Sequence, residues 1–79
     1  MVERIPVADM KTGETGTVVE IIAGRGVHDR LQALGIRQGV KVTKVSAAFA
    51  RGPVVLQVYG TQTALGYGIS YKIIVEVKR

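Results

Sequence analysis

Alternating β-branched residues, closely spaced glycines and a single amphipathic stretch predict a mostly β chain of 79 residues. The expected architecture is a small SH3-like β-barrel of about five antiparallel strands, with one short α-helix after the first strand. Strands this short, joined this tightly, cannot leave a flat sheet open on both faces, so the sheet should curl on itself. The whole of 1–79 reads as one domain.

The first elements follow from local spacing. Pro6, Val7 and Met10 suit one short helical turn with Pro at its first position. Gly13 and Gly16 punctuate "TGETG" as a turn. "TGTVVEII" then alternates as a strand, with Val19 and Ile21 expected inward. In "AGRGVHDRLQALG" the period lengthens: Val27, Leu31 and Leu34 form one helical stripe, with Asp29 in the first turn facing the positive end of the helix dipole.

The helix should stop sharply. With Leu34 as the C-cap, Gly35 takes left-handed dihedrals, and Ile36 folds back on Leu31 in a Schellman motif. "IRQG" is then a tight turn ending at Gly39, from which "VKVTKV" leaves as a strand. "AAFARGP" is a loop closed by Gly52 and Pro53. "VVLQVYG" alternates again, with Val54, Leu56 and Val58 on one face, and "GTQTALGYG" continues as a strand after a turn at Gly60. Gly66 and Gly68 interrupt it, "ISYK" reads as one helical turn, and Ile73, Val75 and Val77 share a face of the closing strand.

Composition restricts the chemistry. There is no cysteine and a single histidine, His28, whose neighbour Asp29 cannot face it along a helix. That removes thiol and serine-type nucleophilic catalysis, and the chain is read as a non-enzyme with no cofactor. The remaining combination for a metal, Glu20 with His28 and Asp29, lacks any recognised ligand spacing, so no metal site is assigned. "GRG" at 24–26 lacks the rest of a phosphate loop, and no small-molecule substrate is expected. No apolar run approaches the ~20 residues of a membrane span. Glu3 and Pro6 stand where a signal peptide would need its apolar stretch, which favours a cytoplasmic location and argues against membrane insertion.

The formal charge of +5 resides in residues 24–52, which hold six basic residues against Asp29 alone. Such a window suits an acidic protein surface or nucleic acid. Nucleic acid is the weaker reading, because of four aromatics only Phe49 falls within the window. A protein contact through Arg37, Lys44, Phe49 and Arg51 fits better, since an exposed aromatic beside arginine has the composition of a contact hot spot. Phe49 could equally lie over an open barrel end as a lid.

The segment "RLQALGIRQGVKV", with the "GP" of Gly52–Pro53, "ALG" at 64–66 and "IIV" at 73–75, resembles the FeoA family of ferrous iron transport proteins. The likeness runs through nearly the whole chain and carries over Leu31, Leu34, Gly35, Ile36, Gly39, Gly52 and Pro53 as structural residues. It departs from the family pattern at "GYGIS" (66–70), where charged residues are common. The resemblance implies a cytoplasmic, non-enzymatic accessory protein of ferrous iron uptake, with an SH3-like barrel. Its implied partner is FeoB, a membrane permease carrying a GTP-hydrolysing domain. The alternatives are a nucleic-acid-binding barrel and a stand-alone relative of the SH3-like domain of iron-dependent repressors. Weak self-association is left open.

Overall fold

A computed structural model of the chain describes residues 1–47 and 52–79. Six strands form one antiparallel sheet: β1 (Val2–Pro6), β2 (Thr15–Ile21), β3 (Lys41–Ala47), β4 (Val54–Val58), β5 (Thr61–Leu65) and β6 (Ile73–Lys78). Their order across the sheet is β1-β6-β2-β3-β4-β5. A 3₁₀ turn (Val7–Asp9) follows β1, helix α1 (Arg25–Ala33) follows β2, and the one-turn helix α2 (Tyr67–Ser70) follows β5.

The mostly β, barrel-like architecture is as the sequence predicts, with one strand more than expected. β1 is short, carries Glu3 and Arg4, and ends on Pro6, so nothing in its own pattern marks it as a strand; pairing with β6 defines it. Because of it, α1 follows the second strand and not the first. The hydrogen-bonded ladder also stops short of full closure, leaving β1 and β5 as its two edges. The curl brings the ends of these edges together, and α2, which follows β5, packs against the 3₁₀ turn that follows β1.

The core explains the curl. Val7, Val18, Leu31, Ile36, Val42, Leu56, Ile73 and Val75 are fully or almost fully buried and belong to one cluster. Two β-bulges let the strands wrap around it. In β2 the register with β6 passes from Val18↔Val75 to Glu20↔Ile74, leaving Val19 unmatched. The inward face therefore switches parity, from Gly16 and Val18 before the bulge to Ile21 after it. Strict alternation had placed Val19 inside; Val18 is the buried residue, and only Ile21 packs on the core as expected. β3 does the same against β4, where Val45 is the unmatched residue.

Smaller local expectations shift with the geometry. Pro6 is the N-cap of the 3₁₀ turn and not its first residue. Helix α1 starts at Arg25, so Asp29 lies beyond its first turn and does not meet the dipole there. The last helical turn begins at Tyr67, two residues before "ISYK".

The helix stop forms as expected. Gly35 has φ +86°. Its N–H donates to the Gln32 carbonyl at 2.9 Å, and the Ile36 N–H donates to the Leu31 carbonyl at 2.9 Å. These are the two bonds of a Schellman motif with Leu34 as C-cap. Leu31 and Ile36 are both buried beneath it. Leu34, expected on the buried stripe, is 42% exposed: once Ile36 folds under the helix end, the C-cap side chain is turned outward. The chain then turns through Arg37–Val40, closed by the Val40 N–H on the Arg37 carbonyl, with Gly39 at φ +92°. A positive φ at the third residue is what a type II turn requires.

On the far side of the sheet, Arg79 grips Glu14. The guanidinium donates to both carboxylate oxygens at 2.9 and 3.1 Å, and the Lys11 N–H donates to one of them at 2.9 Å. The hydrogen bonds from Arg79 and then from Lys11 lower the Glu14 carboxyl from its ordinary 4.5 to about 2.

Two predictions follow from these contacts. A Cβ on Gly16 would lie 2.9 Å from Val77 Cγ1 and 3.1 Å from Val75 Cβ. Overpacking of about 1–3 kcal/mol should outweigh the gain of about 0.5–1 kcal/mol from removing a strand glycine. Gly16→Ala is therefore expected to lower the urea midpoint, and a raised midpoint would contradict this strand spacing. Because the folded state depresses the Glu14 carboxyl, its stabilising effect is complete above about 4.5 and disappears as the pH falls towards about 2. Glu14→Gln should flatten the acid limb of stability in that window, measured by thermal melts between pH 2 and 6.

Candidate functional site

The corner formed by α1, the Arg37–Val40 turn and the β4–β5 hairpin gathers the exposed groups suited to recognition. β4 and β5 are joined by a two-residue loop, Tyr59–Gly60, with Val58 opposite Thr61. Both loop residues have positive φ, +51° and +80°, the backbone of a type I′ hairpin turn. Tyrosine in this left-handed region costs on the order of 1 kcal/mol. The turn holds Tyr59 76% exposed, with its ring close to Gly35: a Cβ there would be 3.6 Å from Tyr59 Cδ2. Leu34 is the neighbouring exposed apolar side chain, and Arg37 is exposed two residues beyond the cap. A tyrosine and a leucine beside an arginine, on a rigid backbone, have the make-up of a protein-contact centre.

Of the four residues expected to make contacts, Arg37 and Lys44 fall among the described residues, and they sit differently. Arg37 is on the surface, in the turn. Lys44 is withdrawn from it: the residue is 5% exposed, and its ammonium donates to the Ala8 carbonyl at 2.8 Å and the Met10 carbonyl at 2.7 Å. It faces inward in β3 opposite the buried Leu56 and fastens the 3₁₀ turn to the sheet. A buried ammonium is tolerable only with such acceptors, so Lys44 is a structural cation and no part of a contact surface. Phe49 and Arg51 lie outside the described residues. Among the structural residues, Gly52 and Pro53 lead into β4 as expected.

Tyr59 is the residue that strand reading missed. It closes an alternating run and falls on that run's outer face, where a side chain is ordinarily solvent-facing and uninformative. The available signal was "YG" between two strands, a two-residue turn in which tyrosine takes a place usually held by Asn, Asp or Gly.

The positive charge is available at this end. Arg25, Arg30, Arg37 and Lys41 are all exposed. The side-chain ion pairs among the described residues are Arg4 with Glu76 and Arg79 with Glu14, so these four cations have no carboxylate partner there. Behind the turn, Val19, Glu20 and Ile21 of β2, His28 and Gln32 of α1, and Arg37 and Gln38 line a cleft of about 620 Å³. Glu20 and His28 thus share a cleft, whereas Asp29 does not line it. No group of three potential metal ligands stands together among the described residues. No helix among them is long and apolar enough to cross a membrane.

Comparison with known proteins gives a consistent result. A family model described as the FeoA domain matches residues 5–77. A protein of Methanocaldococcus jannaschii named for Fe(2+) transport protein A is 38% identical over 71 residues, covering 90% of this chain and 84% of that one. The crystal structure of an iron uptake regulatory protein (FeoA) superposes with a TM-score of 0.83 at 26% identity, over 92% of this chain and 95% of that one. The same fold, at 18% identity and a TM-score of 0.87, covers 99% of this chain and 44% of a manganese-dependent transcriptional repressor. The barrel is therefore of the SH3-like kind that iron transport proteins share with metal-dependent repressors, and the chain belongs to the FeoA family.

Proposed function

We propose that this chain is a cytoplasmic, non-enzymatic accessory protein of ferrous iron uptake that acts by binding a FeoB-type GTPase-permease. Family membership supports the iron transport role. The observation that carries the contact reading is the exposed pair Leu34 and Tyr59, set around Gly35 and followed in the chain by the exposed Arg37. Rigid presentation lowers the entropy lost on binding, because neither the cap nor the hairpin has to be ordered when the partner arrives. The exposed Arg25, Arg30 and Lys41 add positive charge that would steer the protein to an acidic surface in a salt-dependent way. Regulation of transport then requires the chain to bind one conformation of the permease more tightly than another, since equal affinity shifts no equilibrium.

The test is co-purification with the cognate FeoB in detergent. Wild type should be retained, and a Leu34→Ala/Tyr59→Ala double variant should lose retention by about tenfold or more, as expected for hot-spot residues. Its urea midpoint should change little, because both side chains are exposed. Equal retention of the double variant, or wild-type binding to random oligonucleotides at physiological salt with no FeoB retained, would contradict the proposal.

A further inference from the structure

We infer that the cleft between β2 and α1 is a strand-addition site, taking an extended peptide segment that presents a carboxylate to Arg37. The inference shares only Arg37 with the permease reading and needs no particular partner protein.

The cleft lies where β3 would run if it continued. β3 pairs with β2 at Thr15, Gly16 and Thr17. Two further bonds tie Val18 to the turn: the Val18 N–H donates to the Val40 carbonyl at 2.9 Å, and the Gly39 N–H donates to the Val18 carbonyl at 2.8 Å. There the chain bends away through Arg37–Val40, and among the described residues no strand continues the pairing along this edge of Val19–Ile21. The opposite edge of the same stretch stays held by β6, through Ile21↔Ile73 and the Ile22 N–H on the Lys72 carbonyl. The result is a rigid, half-paired strand edge, and main-chain donors and acceptors on such an edge are a template for another strand.

Three features distinguish this edge from the outer edges at β1 and β5. It is walled: His28 and Gln32, one turn apart on α1, form the opposite side of a cleft whose volume falls within the range of ligand sites. It is charged at its closed end, where Arg37 has no carboxylate partner among the described residues. Its floor is mixed, with Val19 and Ile21 on either side of Glu20, and the 56% exposed Ile22 follows in the chain. β1, in contrast, is blunted by Glu3, Arg4 and Pro6, the usual protection of an edge. The bulge at Val19 re-aims this part of β2 next to the cleft, a placement common beside binding sites.

The occupant is thus an extended segment that sets apolar side chains against Val19 and Ile21, a polar or basic one at Glu20, and a carboxylate at the Arg37 end. Main-chain bonds would supply affinity, and the carboxylate would set register through charge-assisted hydrogen bonds.

The experiment selects peptides from a displayed pool of random decapeptides on the intact chain, then titrates the enriched peptides into ¹⁵N-labelled protein. Expected are saturable amide shifts along Val19–Ile21 and slowed hydrogen exchange at Ile21, with shifts at His28 and Gln32. N-methylation of alternate peptide residues should abolish binding in one phase of alternation and leave it in the other. Arg37→Gln, at an exposed site, should weaken binding by about tenfold. Failure to enrich any peptide over the bare support would overturn the inference. So would shifts centred on β1, β5 or the Leu34–Tyr59 corner, or binding indifferent to N-methylation.

Discussion

The two hydrogen bonds that end α1 at Gly35 fix the arrangement of everything around them. They let a helix of nine residues, too short to persist alone in water, dock with Leu31 and Ile36 buried together. The same stop turns Leu34 outward, sets Gly35 beneath the Tyr59 ring, and aims the chain into the turn whose Gly39 and Val40 bond to Val18. One left-handed residue therefore positions the helix, the exposed apolar corner and the closed end of the cleft. These surfaces are built by backbone direction.

Much of this corner could be read from the sequence, because each part has a local signal. Leu31 and Ile36 sit at the spacing of a Schellman pair around a glycine, and Gly39 marks the turn, which runs one residue further than the sequence suggests, to Val40. The bulges could not be read, because an extra residue leaves no mark in an alternating run: "TVVEI" reads the same whether Val18 or Val19 points inward. Lys44 misleads for a different reason. A lysine among valines suggests an outward face, and its burial depends on the Ala8 and Met10 carbonyls, which lie far away in the chain. β1 shows the same limit, since a five-residue strand with two charges is recognisable only beside β6.

The distribution of charge suits a protein used as a surface. Lys44 and Arg79 are engaged within the structure, the buried Lys44 with the 3₁₀ turn and the exposed Arg79 with Glu14. The cations of α1 and its following turn are left for solvent or a partner. The repressor shares this fold at only 18% identity, so very different sequences build the same barrel.

The most direct measurement is the urea midpoint of Gly35→Ala compared with Gly35→Asn. A Cβ at this position would meet Tyr59 and Val58 only at ordinary contact distance, 3.6 Å, so space is not the obstacle and the left-handed backbone is. Alanine should cost about 1–2 kcal/mol, and asparagine distinctly less because it tolerates that conformation. An unmoved midpoint for alanine, or an equal loss for both variants, would contradict the claim that this one backbone conformation organises the molecule.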